Sequence, residues 1–199
     1  MKQALYQPLP RWVKVNGRLY RLRPSFDRVL RVFALYEDPG IFDMDKVNMA
    51  LSILVWGKCH NRLDVLTEVF GVLMAKNREE GVRERSFDFL QDSALIYAAF
   101  QQAYGMNLFQ QHGKLHWWEF LALFSGLPEN TRLMQVIQIR QQPLPKPNKY
   151  NREEIQQLLR LKAQYRLEIS DEERQRQFSA GLAKLAQSLL ATAESGGEE

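Results

Sequence analysis

The chain has 199 residues, 45% of them hydrophobic and 25% charged, an ordinary globular composition that excludes a wholly disordered or fibrous protein. A chain of this length buries roughly 70% of its unfolded surface and needs neither metal nor disulfide to fold, and its single cysteine, Cys59, excludes an internal disulfide framework and fits a reducing compartment. The net charge of +4 is unevenly spread, because residues 1–24 carry Lys2, Arg11, Lys14, Arg18, Arg21 and Arg23 without one acid, so the basic character belongs to the N-terminal segment and not to the whole molecule.

The opening is the clearest strand signal. Trp12 to Val15 and Arg18 to Leu22 flank Asn16-Gly17, the pair that best tolerates the positive φ angles of a two-residue hairpin turn. Val13, Val15, Leu19 and Tyr20 are expected to find partners, since an isolated hairpin is marginal in water. Helices follow. Ser25 is placed to cap one running to about Asp38 with an apolar stripe of Phe26, Val29, Leu30, Phe33 and Leu35, stopped by Pro39-Gly40. A second opens at Asp43 or Asp45 and passes Val47, Leu51, Leu54 and Val55 to Gly57; a third runs from about Leu63 to Asn77. The charged stretch Lys76 to Arg85 reads as a solvated loop. A fourth helix opens near Asp88 or Asp92, passes Leu95, Ile96, Ala99 and Phe100, and stops at Gly105.

The aromatic segment Trp117 to Phe124 places Trp117, Phe120, Leu121 and Phe124 on one helical face, with Trp118 about a quarter-turn away, as a plug at the core edge or an anchor for a partner. After Gly126-Leu127-Pro128, Thr131 caps a helix through Leu133, Val136, Ile137 and Arg140. Pro143, Pro145 and Pro147 then force an extended linker, followed by helices over about 151–168 and 171–193. In the last of these, Phe178, Leu182, Leu185 and Leu189 are spaced by 4, 3 and 4, compatible with a helix–helix seam too short to stand alone.

Enzyme chemistry finds little support. No glycine-rich phosphate loop, G-x-S-x-G elbow or H-E-x-x-H motif is present. His112 and His116 are four apart, but Gly113 intervenes and no third ligand is near; Cys59-His60 is adjacent and not spaced for chelation. No catalytic residue, metal or cofactor is expected. Glu79-Glu80, Glu153-Glu154 and Glu172-Glu173 read as solvated charge at helix starts and in loops. The basic residues Arg11, Lys14, Arg18, Arg21 and Arg23 could grip phosphates, yet alternate residues of a strand share a face, so Arg11, Lys14 and Arg18 need not converge. A solvated face that steers an acidic partner is the better reading.

The central block carries a resemblance. Asp88-Phe89 with Asp92, Ile96 to Phe100, Tyr104-Gly105, then Leu115-His116-Trp117-Trp118, Phe120, Ala122-Leu123, Gly126-Leu127-Pro128-Glu129, Thr131, Val136-Ile137 and Arg140 resemble the phage family named after a "gene fifteen product", tail assembly proteins of siphophages of Gram-positive hosts. The likeness spans roughly residues 12–168. It implies a small, non-enzymatic chaperone that coats the aggregation-prone tape measure protein before the tail tube polymerises, self-associates, and is absent from the finished virion. Amphipathic helices offered to a helical client suit such a role.

The reading is therefore a mainly α protein: a multi-helix globular body with an N-terminal β-hairpin over 1–142, a proline-rich linker over 143–150, and a C-terminal helical arm with an acidic tail over 151–199. Its expected partner is the tape measure protein, with itself and the major tail protein as further partners, in the host cell cytoplasm and away from any membrane. Expected contacts are Trp118 and the stripe Phe178, Leu182, Leu185 and Leu189. A nucleic-acid-binding protein or a head–tail structural component of the virion is the alternative.

Overall fold

Asn16 (φ 48°) and Gly17 (φ 79°) adopt the left-handed backbone that the hairpin turn requires. They join β1 (Trp12–Val15) to β2 (Arg18–Arg21) with Trp12 opposite Arg21, Val13 opposite Tyr20, Lys14 opposite Leu19 and Val15 opposite Arg18. The computed structural model describes residues 6–74 and 86–168, so the charged stretch Lys76 to Arg85 and the final helix lie outside the described residues.

The register decides which hairpin residues go inward. Residues directly opposite each other in an antiparallel pair share a face, so Val13, Val15 and Tyr20 point to the core and are buried. Leu19, expected among them, instead shares the outer face with Lys14 and is 66% exposed. The chain continues past β2 into further pairing. Leu22 bridges Val55, Arg23 N–H donates to the Leu54 carbonyl at 2.7 Å, and Trp56 N–H donates to the Arg21 carbonyl at 2.9 Å. The hairpin is thus welded to the segment following the second helix.

Seven α-helices follow among the described residues: α1 (Phe26–Glu37), α2 (Asp43–Leu54), α3 (Arg62–Met74), α4 (Ser93–Tyr104), α5 (Trp117–Ser125), α6 (Arg132–Gln141) and α7 (Arg152–Gln164). With the single two-stranded hairpin, this is the mainly α body expected. Ser25 occupies the cap position of α1, but its side chain makes no capping bond; the Phe26 N–H donates instead to the Leu115 carbonyl at 3.0 Å. The core stripe of α1 runs through Phe26, Val29, Val32 and Leu35, with Leu30 and Phe33 only partly buried. Gly105 ends α4 in the left-handed conformation, φ 61°, as a C-terminal stop should. A short 3₁₀ turn over Leu108–Gln111, capped by the Asn107 side chain, was not legible in the hydrophobic pattern.

Phe120 on α5 is the centre of the core and is 0% exposed. Its ring stacks on Phe26 of α1 at 4.9 Å, on Phe100 of α4 at 5.2 Å and on Trp117 at 5.6 Å. Phe89 adds edge and tilted contacts to Trp117, Phe120 and Phe124. Each such pair adds about 0.5–1.5 kcal/mol beyond area burial. Around this centre α1 packs on α2 and α5, α2 on α3, α3 on β1, and α4 on α6.

Contacts divide the chain into residues 1–165 and residues 166–199. The expected arm begins at α7, and that helix packs on α6 within the first unit, burying Leu158. Its proline-rich approach, residues 143–148, contains no helix.

Candidate functional site

The Leu115-His116-Trp117-Trp118 motif is a structural device before it is anything else. His116 caps α5: its Nδ1 accepts from the Trp118 N–H at 3.0 Å while Glu119 Oε2 accepts from the His116 N–H at 2.9 Å, a capping box. Its Nε2 lies 3.1 Å from the Pro10 carbonyl. A ring accepting at Nδ1 and donating at Nε2 is neutral, and burial pushes its pKa below the usual histidine value against the raising pull of the Pro10 carbonyl and Glu119. The Trp117 N–H donates to the Pro24 carbonyl at 2.7 Å, so the motif fastens the start of α5 to the N-terminal segment.

His112 is exposed and rests against Phe26 and Phe109. Gly113 (φ 72°) turns the chain before α5 begins, so the two histidines do not share a helical face. Among the described residues, no group of three or more His, Cys, Asp or Glu is placed to hold a metal ion. Cys59 and His60 line an open groove of about 600 Å³ with Asn48, Ser52, Lys58 and Arg62. Burial raises the Cys59 thiol pKa against the lowering pull of Arg62, which keeps it a neutral thiol, the less nucleophilic form.

Trp118 is half-buried, and its indole N–H donates to the Leu73 carbonyl at the end of α3 at 2.9 Å. It packs against the core at its edge. The remaining members of the expected contact set, Phe178, Leu182, Leu185 and Leu189, lie outside the described residues.

Two motif residues separated by 48 positions meet. Arg140 on α6 grips Asp92 at the head of α4 with two hydrogen bonds of 2.6 and 2.8 Å, the pair being 9% and 3% exposed. Arg140 also donates to the Ser86 carbonyl at 3.1 Å and the Tyr165 carbonyl at 2.6 Å, and Lys162 of α7 donates to the Arg140 carbonyl at 2.7 Å. Arg132 adds a hydrogen bond to the Tyr165 hydroxyl. One planar guanidinium thus ties α4, α6 and the end of α7 together, a fork that lysine could not reproduce. Both residues stand in the motif block of the sequence, but no local rule there signals that they pair.

The basic hairpin residues are sorted by strand parity. Lys14 and Arg21 stand on the outer face, while Arg11 and Arg18 fall at the two ends of the inward row; all four are exposed. Arg23 is half-buried, its guanidinium 3.9 Å above the Trp56 ring and bonded to the Ser52 carbonyl at 3.3 Å. The five cations therefore do not form one phosphate-binding row.

No helix among the described residues is long and apolar enough to cross a membrane. A family model described as Bacteriophage Gp15 protein matches residues 5–167. No curated protein and no solved structure matches the chain.

Proposed function

Because the chain belongs to the Bacteriophage Gp15 protein family, which makes it a phage protein of the structural or assembly kind, we propose that it is a non-enzymatic tail assembly chaperone that binds and solubilises the tape measure protein before the tail tube polymerises. The observation that carries the reading is the extent of the family match over residues 5–167, which takes in the hairpin and the seven helices found among the described residues.

The structure supplies physical support. The motif residues of the resemblance are spent on holding the body together: His116 caps, Trp117 and Phe120 fill the core, and Arg140 clasps Asp92. The outside of that body still shows large apolar side chains, including Trp12, Leu19, Phe42, Met44, Trp56 and Phe109. Exposed aromatic and methionine side chains are the usual anchors and adaptable contacts of protein interfaces. A rigid helical body with apolar surface to lend suits a client made of long amphipathic helices.

The protein acts in the cytoplasm of the infected host and leaves before the particle is finished. Affinity purification from infected cells tests the first half: the tape measure protein is expected to co-purify in near-stoichiometric amount. Mass spectrometry of purified virions tests the second half. The chain is expected to be absent from particles, and its presence at fixed copy number would identify a structural component, such as a head–tail connector.

A further inference from the structure

The outer face of the hairpin holds two half-exposed tryptophans in one row. Trp12 stands opposite Arg21 in the β1–β2 register. The Trp56 N–H bonds the Arg21 carbonyl beside the Leu22–Val55 bridge, which places Trp56 on the other flank of Arg21. The two are 56% and 54% exposed. Two inter-strand steps put their backbones about 10 Å apart, close to the diameter of an α-helix with its side chains. The next row along the face adds Leu19 and Lys14.

Trp56 is held in place before any partner arrives. Arg23 lies 3.9 Å over its ring and is itself tied to the Ser52 carbonyl. A ring immobilised this way loses little freedom on binding, which favours affinity. Tryptophan beside arginine is also the composition in which interface energy concentrates.

Resting on the chaperone reading, we propose that this Trp12–Arg21–Trp56 face is the surface that seizes the tape measure protein, and that its occupant is a helical segment with an apolar stripe flanked by carboxylates. Charge complementarity sets the sign. Lys14, Arg21 and Arg23 border the tryptophans, and residues 1–24 contain no acid, so a cationic client segment is repelled and an acidic one attracted. A protein segment fits better than nucleic acid. Arg23 is already committed to Trp56 and Ser52, and Arg11 and Arg18 belong to the other face, which leaves too few aligned cations for a phosphate track.

The test is co-expression of the tagged full chain with its cognate tape measure protein, followed by capture in 0.1 M and 0.5 M NaCl. The Trp12→Ala/Trp56→Ala pair and Arg21→Glu are each expected to cut retained tape measure protein at least tenfold, and the higher salt to weaken wild-type retention. Tyr150→Ala, at an exposed aromatic of the linker before α7, is expected to change it less than twofold. If the tryptophan pair lowers the melting temperature, Arg21→Glu and Leu19→Glu decide the matter, since both side chains stand on the solvent face. Wild-type capture with undiminished capture by these variants overturns the surface assignment and leaves the chaperone reading standing. No capture by the wild type overturns both. Should the wild type instead retain a single-stranded oligonucleotide, with retention lost in Arg21→Glu, the face is a nucleic-acid site and the proposal fails.

Discussion

Replacing Asp92 by alanine removes the partner of a guanidinium that is almost wholly shielded from water. Arg140 is 9% exposed and would keep its bonds to the Ser86 and Tyr165 carbonyls while losing both bonds to the carboxylate. Asp92 Oδ2 also accepts from the Asp88 N–H at 3.0 Å, so a further donor loses its acceptor. Breaking a buried ion pair from one side costs about 3–5 kcal/mol, because the remaining charge is stranded in low dielectric. For a folded body of this size each kcal/mol moves the melting temperature by about 2–4 °C, so Asp92→Ala should melt about 6–20 °C lower. Urea denaturation followed by circular dichroism measures the free energy directly. The double variant Asp92→Leu/Arg140→Leu should be much less damaging than the sum of its parts, since it leaves no orphaned charge. A loss below about 1 kcal/mol for Asp92→Ala, or strict additivity in the double variant, would refute the clasp as the tie between α4, α6 and α7.

Other outcomes follow from the same geometry. Phe120→Ala empties the centre of the aromatic stack and should cost about 3–5 kcal/mol, read in the same urea assay; a cost under 1 kcal/mol would deny Phe120 its central place. Trp118→Phe keeps an aromatic side chain but removes the indole N–H, with its 2.9 Å bond to the Leu73 carbonyl, and part of the ring volume, so stability should fall by at least about 1 kcal/mol while capture of the tape measure protein stays within twofold. Burial lowers the pKa of His116 in the folded chain, so the unfolded chain binds its proton first as pH falls. The stability that the neutral ring contributes is therefore complete above about pH 6.5 and drains away as pH drops toward the lower folded value. His116→Asn, which retains a capping side chain, should flatten the decline in melting temperature between pH 6.5 and 5; an unchanged slope would contradict the neutral tautomer.

Local chemistry made much of this fold legible in the sequence. Asn16-Gly17 can serve few purposes besides a tight turn, Thr131 does cap α6 through a bond to the Met134 N–H, and Gly105 does end α4 in the left-handed region. What local chemistry does not reveal is geometry between elements. Leu19 looks like a core residue by composition, but the two-residue turn makes Arg18 and Tyr20, and not Leu19, share the inward row of Val15 and Val13. Ser25 looked like a cap, yet the backbone around it is drawn into pairing with the segment before α5. Strand pairing at Leu22–Val55 brings Trp56 beside Arg21 across more than thirty residues of chain, and nothing in the periodicity of either segment announces it. The Asp92–Arg140 contact is of the same kind: two charges in a motif, with no local rule joining them. His116 is instructive, because its four-residue spacing from His112 is discounted as a metal pair once Gly113 intervenes, while the Glu119 three residues on is the signal of a capping box.

The central claim is that this chain lends surface to an aggregation-prone client, and light scattering tests it most directly. The cognate tape measure protein, diluted from denaturant into buffer containing increasing amounts of the folded chain, should stay clear once the two are near equimolar. An equal mass of an unrelated folded protein should not prevent turbidity. Scattering that rises identically with and without the chain, up to severalfold excess, would contradict the account.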